Sequence, residues 1–230
     1  MDEKPRIDRG FWCWRGGRGD VRFAGKGPRL DRAASIRTLV PAGVEPAWIE
    51  QIHSATVREA LPGCSGPGDA LITHLPALAL AVATADCVPI LLAGRDRVAA
   101  VHAGWRGIAQ RIVPAALARL ALPGDEITAW IGPAIGPCCY EVGEEVAEQV
   151  CASSVDAVAH RGPSGRPHLD LAAAVRAQLR AGGVTEVHQL ACCTRCDATH
   201  LWSYRREGKA AGRNLALIWR SVSAPSSSSR

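Results

Sequence analysis

The stretch ALALAVATADCVPILLA, Ala77 to Ala93, decides how the rest of the chain is read. It is long and apolar, yet it is punctuated at Thr84-Ala85-Asp86 and again at Pro89. The run is too interrupted to span a membrane. It reads as two buried strands joined at a bend, with Cys87 at that bend.

Working outward from this bend, Ala47 to His53 reads as a strand that runs toward His53, and Val98 to His102 as another buried strand ended by Ala103-Gly104. Ile108, Ile112, Val113, Ala116, Leu117 and Leu120 recur at helical spacing, and Pro114 marks a kink or a late first turn. Ile127 to Ile131 reads as a strand. Val142, Val146 and Val150 line one side of a short helix. Asp170 is placed to cap a helix through Arg180 that Gly182-Gly183 stops. Val184 to Ala191 and Leu215 to Trp219 complete the strands. Mixed strands and helices with antiparallel pairing predict an α+β or α/β class. In the first thirty residues only the FWCW cluster, Phe11 to Trp14, reads as able to pack.

Composition narrows the function. With 47% hydrophobic and 21% charged residues, 230 residues can bury a sizeable core, which fits one domain over residues 1–220 with a disordered Ser-rich tail at 221–230. A net charge of +5 without a basic block argues against nucleic acid and allows a general preference for anions. The start MDEKPRIDRG lacks the apolar stretch of a secretory signal, so a cytoplasmic, non-membrane protein is expected. Nine cysteines cannot all pair internally, and without export free thiols or metal ligands are the better reading.

Three residues carry the most chemistry. His53 ends a strand in EQIHS, Cys87 sits at the bend in TADCVP, and His102 ends a strand in AVHAGWRG. Two imidazoles and a thiolate suit Zn²⁺, and three protein ligands leave the fourth position open, as in catalytic sites. The bland alternative is three ordinary core residues, since the positions are far apart in sequence. Asp86, beside Cys87, reads as an acceptor for a ligand histidine, a general base, or a turn cap. Arg106 in GWRG lies next to His102 and at a helix start, a placement that favours an anion such as phosphate.

Other motifs say less. The loop IGPAIGPCCYEVG, Ile131 to Gly143, demands a defined backbone path and reads as substrate-facing. Its neighbours Cys138 and Cys139 are poorly placed to pair with each other. Cys193 and Cys196 form a CxxC, which reads as structural thiols or adventitious metal ligands, because Cys192 supplies no second pair. Ser203 to Arg206 reads as an extended segment in which one of Arg205 and Arg206 can reach the site.

Taken together, EQIH, GDALIT, TADCVPILL, VHAGWRG, IGPAIGPCCYEVG, CCT and SYRREG–GRNLALIW, in this order from about Trp48 to Trp219, resemble the laccase-domain or YfiH-like family, also called the polyphenol oxidase or peptidoglycan editing factor family. The resemblance implies a four-layer αββα sandwich and zinc held by His53, Cys87 and His102. It implies a purine nucleoside phosphorylase acting on adenosine, inosine or methylthioadenosine with phosphate, and deaminating adenosine. An older implication is copper-dependent oxidation of phenols. Another is editing of cell-wall precursors, which a cysteine hydrolase with Cys87 as nucleophile and His102 as base would also fit. A non-enzymatic, metal-dependent partner-binding role is a further alternative. At the N-terminus only Trp14-Arg15-Gly16-Gly17 echoes the family pattern, which makes Arg15 a site candidate there.

Overall fold

The computed structural model describes residues 6–8, 11–16, 19–27, 31–154 and 159–221; the side chains at 6–8, 15 and 16 lie outside it. The expected tail beyond Ser221, and the side chain of Arg15, therefore fall outside the described residues.

Fifteen strands and six α-helices follow one another along the described chain. The first half holds β1 (Arg6–Asp8), β2 (Phe11–Gly16), β3 (Gly19–Ala24), α1 (Arg32–Arg37), β4 (Glu45–Gln51), β5 (Val57–Glu59), β6 (Gly63–Gly68), β7 (Ala70–Thr73), β8 (Leu78–Thr84), β9 (Val88–Ala93) and β10 (Val98–Ala103). The second half holds α2 (Trp105–Ala109), α3 (Ile112–Leu120), β11 (Thr128–Ile131), α4 (Glu144–Ser153), β12 (Ala159–Arg161), β13 (Pro167–Leu169), α5 (Leu171–Ala181), β14 (Glu186–Gln189), α6 (Tyr204–Glu207) and β15 (Asn214–Trp219). One sheet has seven strands in the order β1-β2-β3-β15-β8-β4-β6, another six in the order β14-β11-β9-β10-β7-β5, and β12 pairs with β13.

Side-chain alternation along the apolar strands builds the layers. From β8, Leu78, Leu80 and Val82 enter one core, where they meet Leu91 and Ala93 of β9 and Val98 and Ala100 of β10. The two sheets thus face each other across this core. The intervening residues of β8, Ala79, Ala81 and Ala83, turn outward with Leu215 and Leu217 onto Ile36 of α1 and the adjoining Leu39. On the far side, Val88, Ile90 and Leu92 pack with residues of α2, α3, α4 and α5. A strand that alternates between two dry faces has no polar register, so its sequence is apolar throughout. The result is the expected four-layer αββα sandwich, helices outside and two sheets within.

Several elements differ from their expectations. The N-terminal residues contribute more than an aromatic cluster: β2 and β3 extend the seven-stranded sheet through β15, and Trp14, Val21 and Phe23 are buried between the sheets. The single helix expected after His102 is two, α2 and α3, separated by Arg111 in the left-handed region at φ 65°. The Ile108 carbonyl accepts from Arg111 N–H at 2.9 Å, which tightens the last turn of α2, and from the Gln178 side chain at 2.9 Å. Pro114 then falls in the first turn of α3, where its missing N–H costs nothing. Ser203 to Arg206 is not extended, because Ser203 accepts from Arg206 N–H and caps α6. Val142 precedes α4, whereas Val146 and Val150 lie on it. Among the described residues no helix is long and apolar enough to cross a membrane.

Candidate metal centre

The Thr84–Val88 bend brings Cys87 beside the ends of two other strands. β4 runs parallel to β8, so Gln51 and Thr84 end on the same side of their sheet. Gln51 clamps the two together: its amide donates to Ala83 O at 2.7 Å and its carbonyl accepts from Ala83 N at 3.0 Å. Two residues on, His53 turns back with φ 59°. In the facing sheet, β9 pairs antiparallel with β10 and sets Val88 opposite Ala103. Cys87 therefore arrives next to His102 from its own sheet neighbour, and His53 arrives from across the sandwich.

The ligand-capable atoms of His53, Cys87 and His102 all lie within 4.8 Å of one another. The two imidazole rings meet edge to face with centroids 4.9 Å apart. His102 is buried, Cys87 half-buried and His53 exposed, so the group opens outward on the His53 side. Gly104 makes the room: a methyl group there would stand 3.0 Å from His53 Cδ2 and 3.1 Å from Cys87 Sγ.

A carboxylate organises both histidines, and it is Asp69. His102 Nδ1 lies 2.8 Å from Asp69 Oδ1. The bond to Nδ1 fixes the ring, so that Nε2 is the nitrogen that would ligate an ion once its proton is displaced. The same carboxylate accepts from His53 N at 3.0 Å, Ser54 N at 2.6 Å and Ser54 Oγ at 2.8 Å. Burial pushes the Asp69 carboxyl up, but the His102 and Ser54 hydrogen bonds outweigh it and hold it below the ordinary carboxylate range. Burial likewise pushes the Cys87 thiol up, yet hydrogen bonds and charge from His102 and His53 bring it down to about 6. Burial lowers His102, and its bonds to Asp69 and Cys87 raise it to about 9. A thiol readily ionised between two imidazoles is the donor set that a borderline-soft ion takes.

The residues fit a metal ion. Two nitrogens and a sulfur of three different segments come close enough for small side-chain adjustments to bring them onto one ion with bonds of about 2.0–2.3 Å. Among the described residues this group has three donors, which leaves a tetrahedral ion a position for water or substrate.

Asp86 has another arrangement than the one expected of an acceptor for a ligand histidine. Its backbone takes φ 98°, and its carboxylate accepts from Thr194 Oγ1 at 2.6 Å and Arg205 N at 2.6 Å. The histidine acceptor is Asp69, in the GDALIT segment, which the sequence reading did not single out. Arg106 is exposed in the first turn of α2, with its guanidinium 4.4 Å over the Trp105 ring. Its charge reaches Tyr140, as do those of Cys87, Asp86 and Arg205. Burial first, then the nearby Cys87, push the Tyr140 hydroxyl up to about 12. Arg205 lies 5.2 Å over the Tyr140 ring and donates to Glu141 O, so the loop after β11 and the start of α6 wall the group. Arg206 turns instead to the carbonyls of Thr194, Arg195 and Leu201. A cavity of about 370 Å³ among Phe11, Trp202, Arg32, Lys209 and Arg213 includes none of the three ligand candidates.

Residues 31–221 match the family described as multi-copper polyphenol oxidoreductase laccase. The chain belongs to this laccase-like, YfiH-containing family. Among curated relatives, the Pseudomonas aeruginosa protein named purine nucleoside phosphorylase PA4543 is 41% identical over 179 residues, 76% of this chain and 74% of that protein. Purine nucleoside phosphorylase YfiH of Escherichia coli is 37% identical over 76% of this chain and 74% of its own. A protein from an unknown prokaryotic organism, adenosine deaminase RL5, is 40% identical over 66% of this chain and 62% of its own. Among solved structures, Neisseria meningitidis NMB0706 superposes with TM-score 0.81 at 30% identity, covering 93% of this chain and all of that one (100%). The names carried by members of the laccase-like family are thus those of metal-associated and purine-nucleoside enzymes, and the αββα layers of this chain are the family's fold.

Proposed function

We propose that this chain is a zinc-dependent purine nucleoside phosphorylase that cleaves adenosine, inosine or methylthioadenosine with phosphate and also deaminates adenosine. The observation that carries this reading is the convergence of His53, Cys87 and His102 around one point with an outward-facing side. The names of the relatives support the substrate class. Zinc on these donors would supply Lewis acidity at an oxygen nucleophile or leaving group.

The chain's own residues then have separable tasks. Cys87 and the two histidines hold the ion, and Asp69 keeps both histidines oriented. Arg106, exposed and pinned on Trp105, offers a guanidinium to phosphate oxygens. Tyr140, kept protonated by its raised pKa, offers an O–H to a purine or ribose oxygen. Asp86, two bonds deep in Thr194 and Arg205, sits beside Cys87 as the candidate to carry a proton to or from the nucleoside.

The test is incubation of purified protein with adenosine, with and without phosphate. Adenine and ribose 1-phosphate appearing only with phosphate supports phosphorolysis, and inosine appearing in both supports deamination. No conversion of adenosine, inosine or methylthioadenosine by protein carrying stoichiometric zinc overturns the reading. Stoichiometric copper in protein purified without added metal, together with turnover of a phenol, would favour a polyphenol oxidase instead.

One observation favours a second reading. Cys87, His102 and Asp69 form a thiol–imidazole–carboxylate line, the arrangement of a cysteine hydrolase that would edit peptidoglycan precursors. Alkylation separates the two: a metal-ligated Cys87 is protected until zinc is chelated, whereas a nucleophilic Cys87 in metal-free protein reacts at once.

A further inference from the structure

Four cysteines outside the centre described above meet at a second point. β11 and β14 are parallel neighbours at one edge of their sheet, Thr128 facing Glu186 through Ile131 facing Gln189. Parallel strands release their loops at the same end, so the loop after β11 and the loop after β14 leave side by side. They are joined by a bridge between Ala134 and Cys193, and Thr194 N donates to Ala134 O. Cys138 and Cys139 come from the first loop, Cys193 and Cys196 from the second. The second cysteine pair, which Cys192 does not supply, is thus Cys138-Cys139.

All four sulfurs lie within 4.8 Å of one another. Cys196 Sγ is 3.7 Å from Cys138 Sγ and 3.4 Å from Cys139 Sγ. Four sulfurs held about 2.3 Å from a common tetrahedral ion are about 3.8 Å apart, so these spacings match the edges of a metal tetrathiolate. They are far from the roughly 2.0 Å of a disulfide, and all four thiols are free. The backbone around them is arranged for sulfur charge. Gly136 N donates to Cys193 Sγ at 3.2 Å, and Cys196 N also hydrogen-bonds that sulfur. Arg206 places its guanidinium on the carbonyls of Thr194 and Arg195, inside the CxxC itself. Gly136 leaves the space, since a methyl group there would stand 3.2 Å from Cys138 Sγ and 3.5 Å from Cys193 Sγ.

We propose that Cys138, Cys139, Cys193 and Cys196 form a structural zinc centre, separate from the His53–Cys87–His102 group, that staples the loop after β11 to the loop after β14. On binding, each thiol that still carries a proton releases it to solvent and the four thiolates ligate one Zn²⁺, closed to substrate. The staple closes about 57 residues of intervening chain, where a cross-link removes much unfolded-state entropy. It also reaches the first centre. Thr194, between Cys193 and Cys196, is fully buried and donates to Asp86 beside Cys87, and Tyr140 follows Cys139 directly.

Metal analysis of the full chain purified under reducing conditions without added metal should find two zinc ions per chain. The double variant Cys138→Ser/Cys196→Ser should keep one, with a Tm lower by on the order of 5 °C. His102→Ala should lose the other and retain the tetrathiolate. Cobalt(II) exchanged into the wild-type chain and into His102→Ala should show the intense sulfur-to-metal absorption of a cobalt tetrathiolate, so the proposal does not depend on the double variant folding. The same signal in a wild-type chain that holds no metal at the first group would sink the zinc reading of that group and leave this one standing. A wild-type chain without the tetrathiolate signal overturns the proposal. So does a Cys138 or Cys139 disulfide to Cys196 in freshly purified protein, iron with acid-labile sulfide at these sulfurs, or two zinc ions retained by the double variant.

Discussion

Asp69 is fully buried, and its two oxygens accept from a histidine ring, three backbone amides and a hydroxyl. Removing a carboxylate from water is costly unless its lone pairs are filled; here they are, and the charge is retained. The residue thereby fixes His102 by its ring and His53 by its backbone. Asp69→Asn should weaken zinc binding about 10–100-fold, read by competition with a chromophoric chelator. An unchanged zinc affinity would show that the histidines hold their places without the charge. His102→Ala should lower zinc content and abolish nucleoside turnover with the far-UV circular dichroism intact, and normal turnover would rule out the metal reading. His53, Cys87 and His102 were legible because each stands where an apolar strand stops. Asp69 was not, because its role arises from residues 15 to 33 positions away that only the paired strands bring near.

Among the elements, α5 shows how much local chemistry can specify. Asp170 accepts from Ala173 N at 2.8 Å and starts the helix. Gly183 takes φ 81° and ends it. Between them Leu171, Ala174, Val175, Gln178 and Leu179 are buried at helical spacing. Asp170→Ala should cost about 1 kcal/mol, a fall in Tm of about 2–4 °C by thermal denaturation; no shift would mean that packing alone defines the start. The break between α2 and α3 shows the opposite. Arg111 carries a Cβ and has no preference for the left-handed region, and at the break the Ile108 carbonyl is held by Gln178, 70 residues further on, as well as by Arg111 N–H. α6 has only four residues, too few for a periodic signal, and Ser203 alone marks it.

At the scale of the whole molecule, two sheets must approach closely while each carries its own layer of helices. Gly132, just after β11, is a point of contact: a methyl group there would lie 2.3 Å from Phe23 Cε1 and 2.8 Å from Pro89 Cγ. Phe23 is itself buried between the sheets and has no exposed space to swing into. Gly132→Ala should therefore destabilise the protein by about 1–3 kcal/mol, read as a lower urea midpoint at unchanged m. A wild-type midpoint would show that the two sheets can separate freely at this edge. The contact also explains why the N-terminal strands were underread. β2 and β3 mix Gly and Arg with their aromatics, and their burial depends on β15, almost two hundred residues later.

The amino-acid sequence by itself determined where the chain extends, bends and coils, because apolar period, capping residues and glycines act within a few residues of one another. It also determined which donor atoms are available, two imidazoles and a bend cysteine, and through the resemblance the family and its layered fold. Tertiary structure decided which of those atoms meet: Asp69 rather than Asp86 behind the histidine, Arg205 rather than Arg206 at the wall, and Cys138-Cys139 opposite the CxxC. The physical reason is that ligation and buried charge depend on separations of a few ångströms. Such separations are set by strand pairing across tens of residues, which spacing along the chain does not encode.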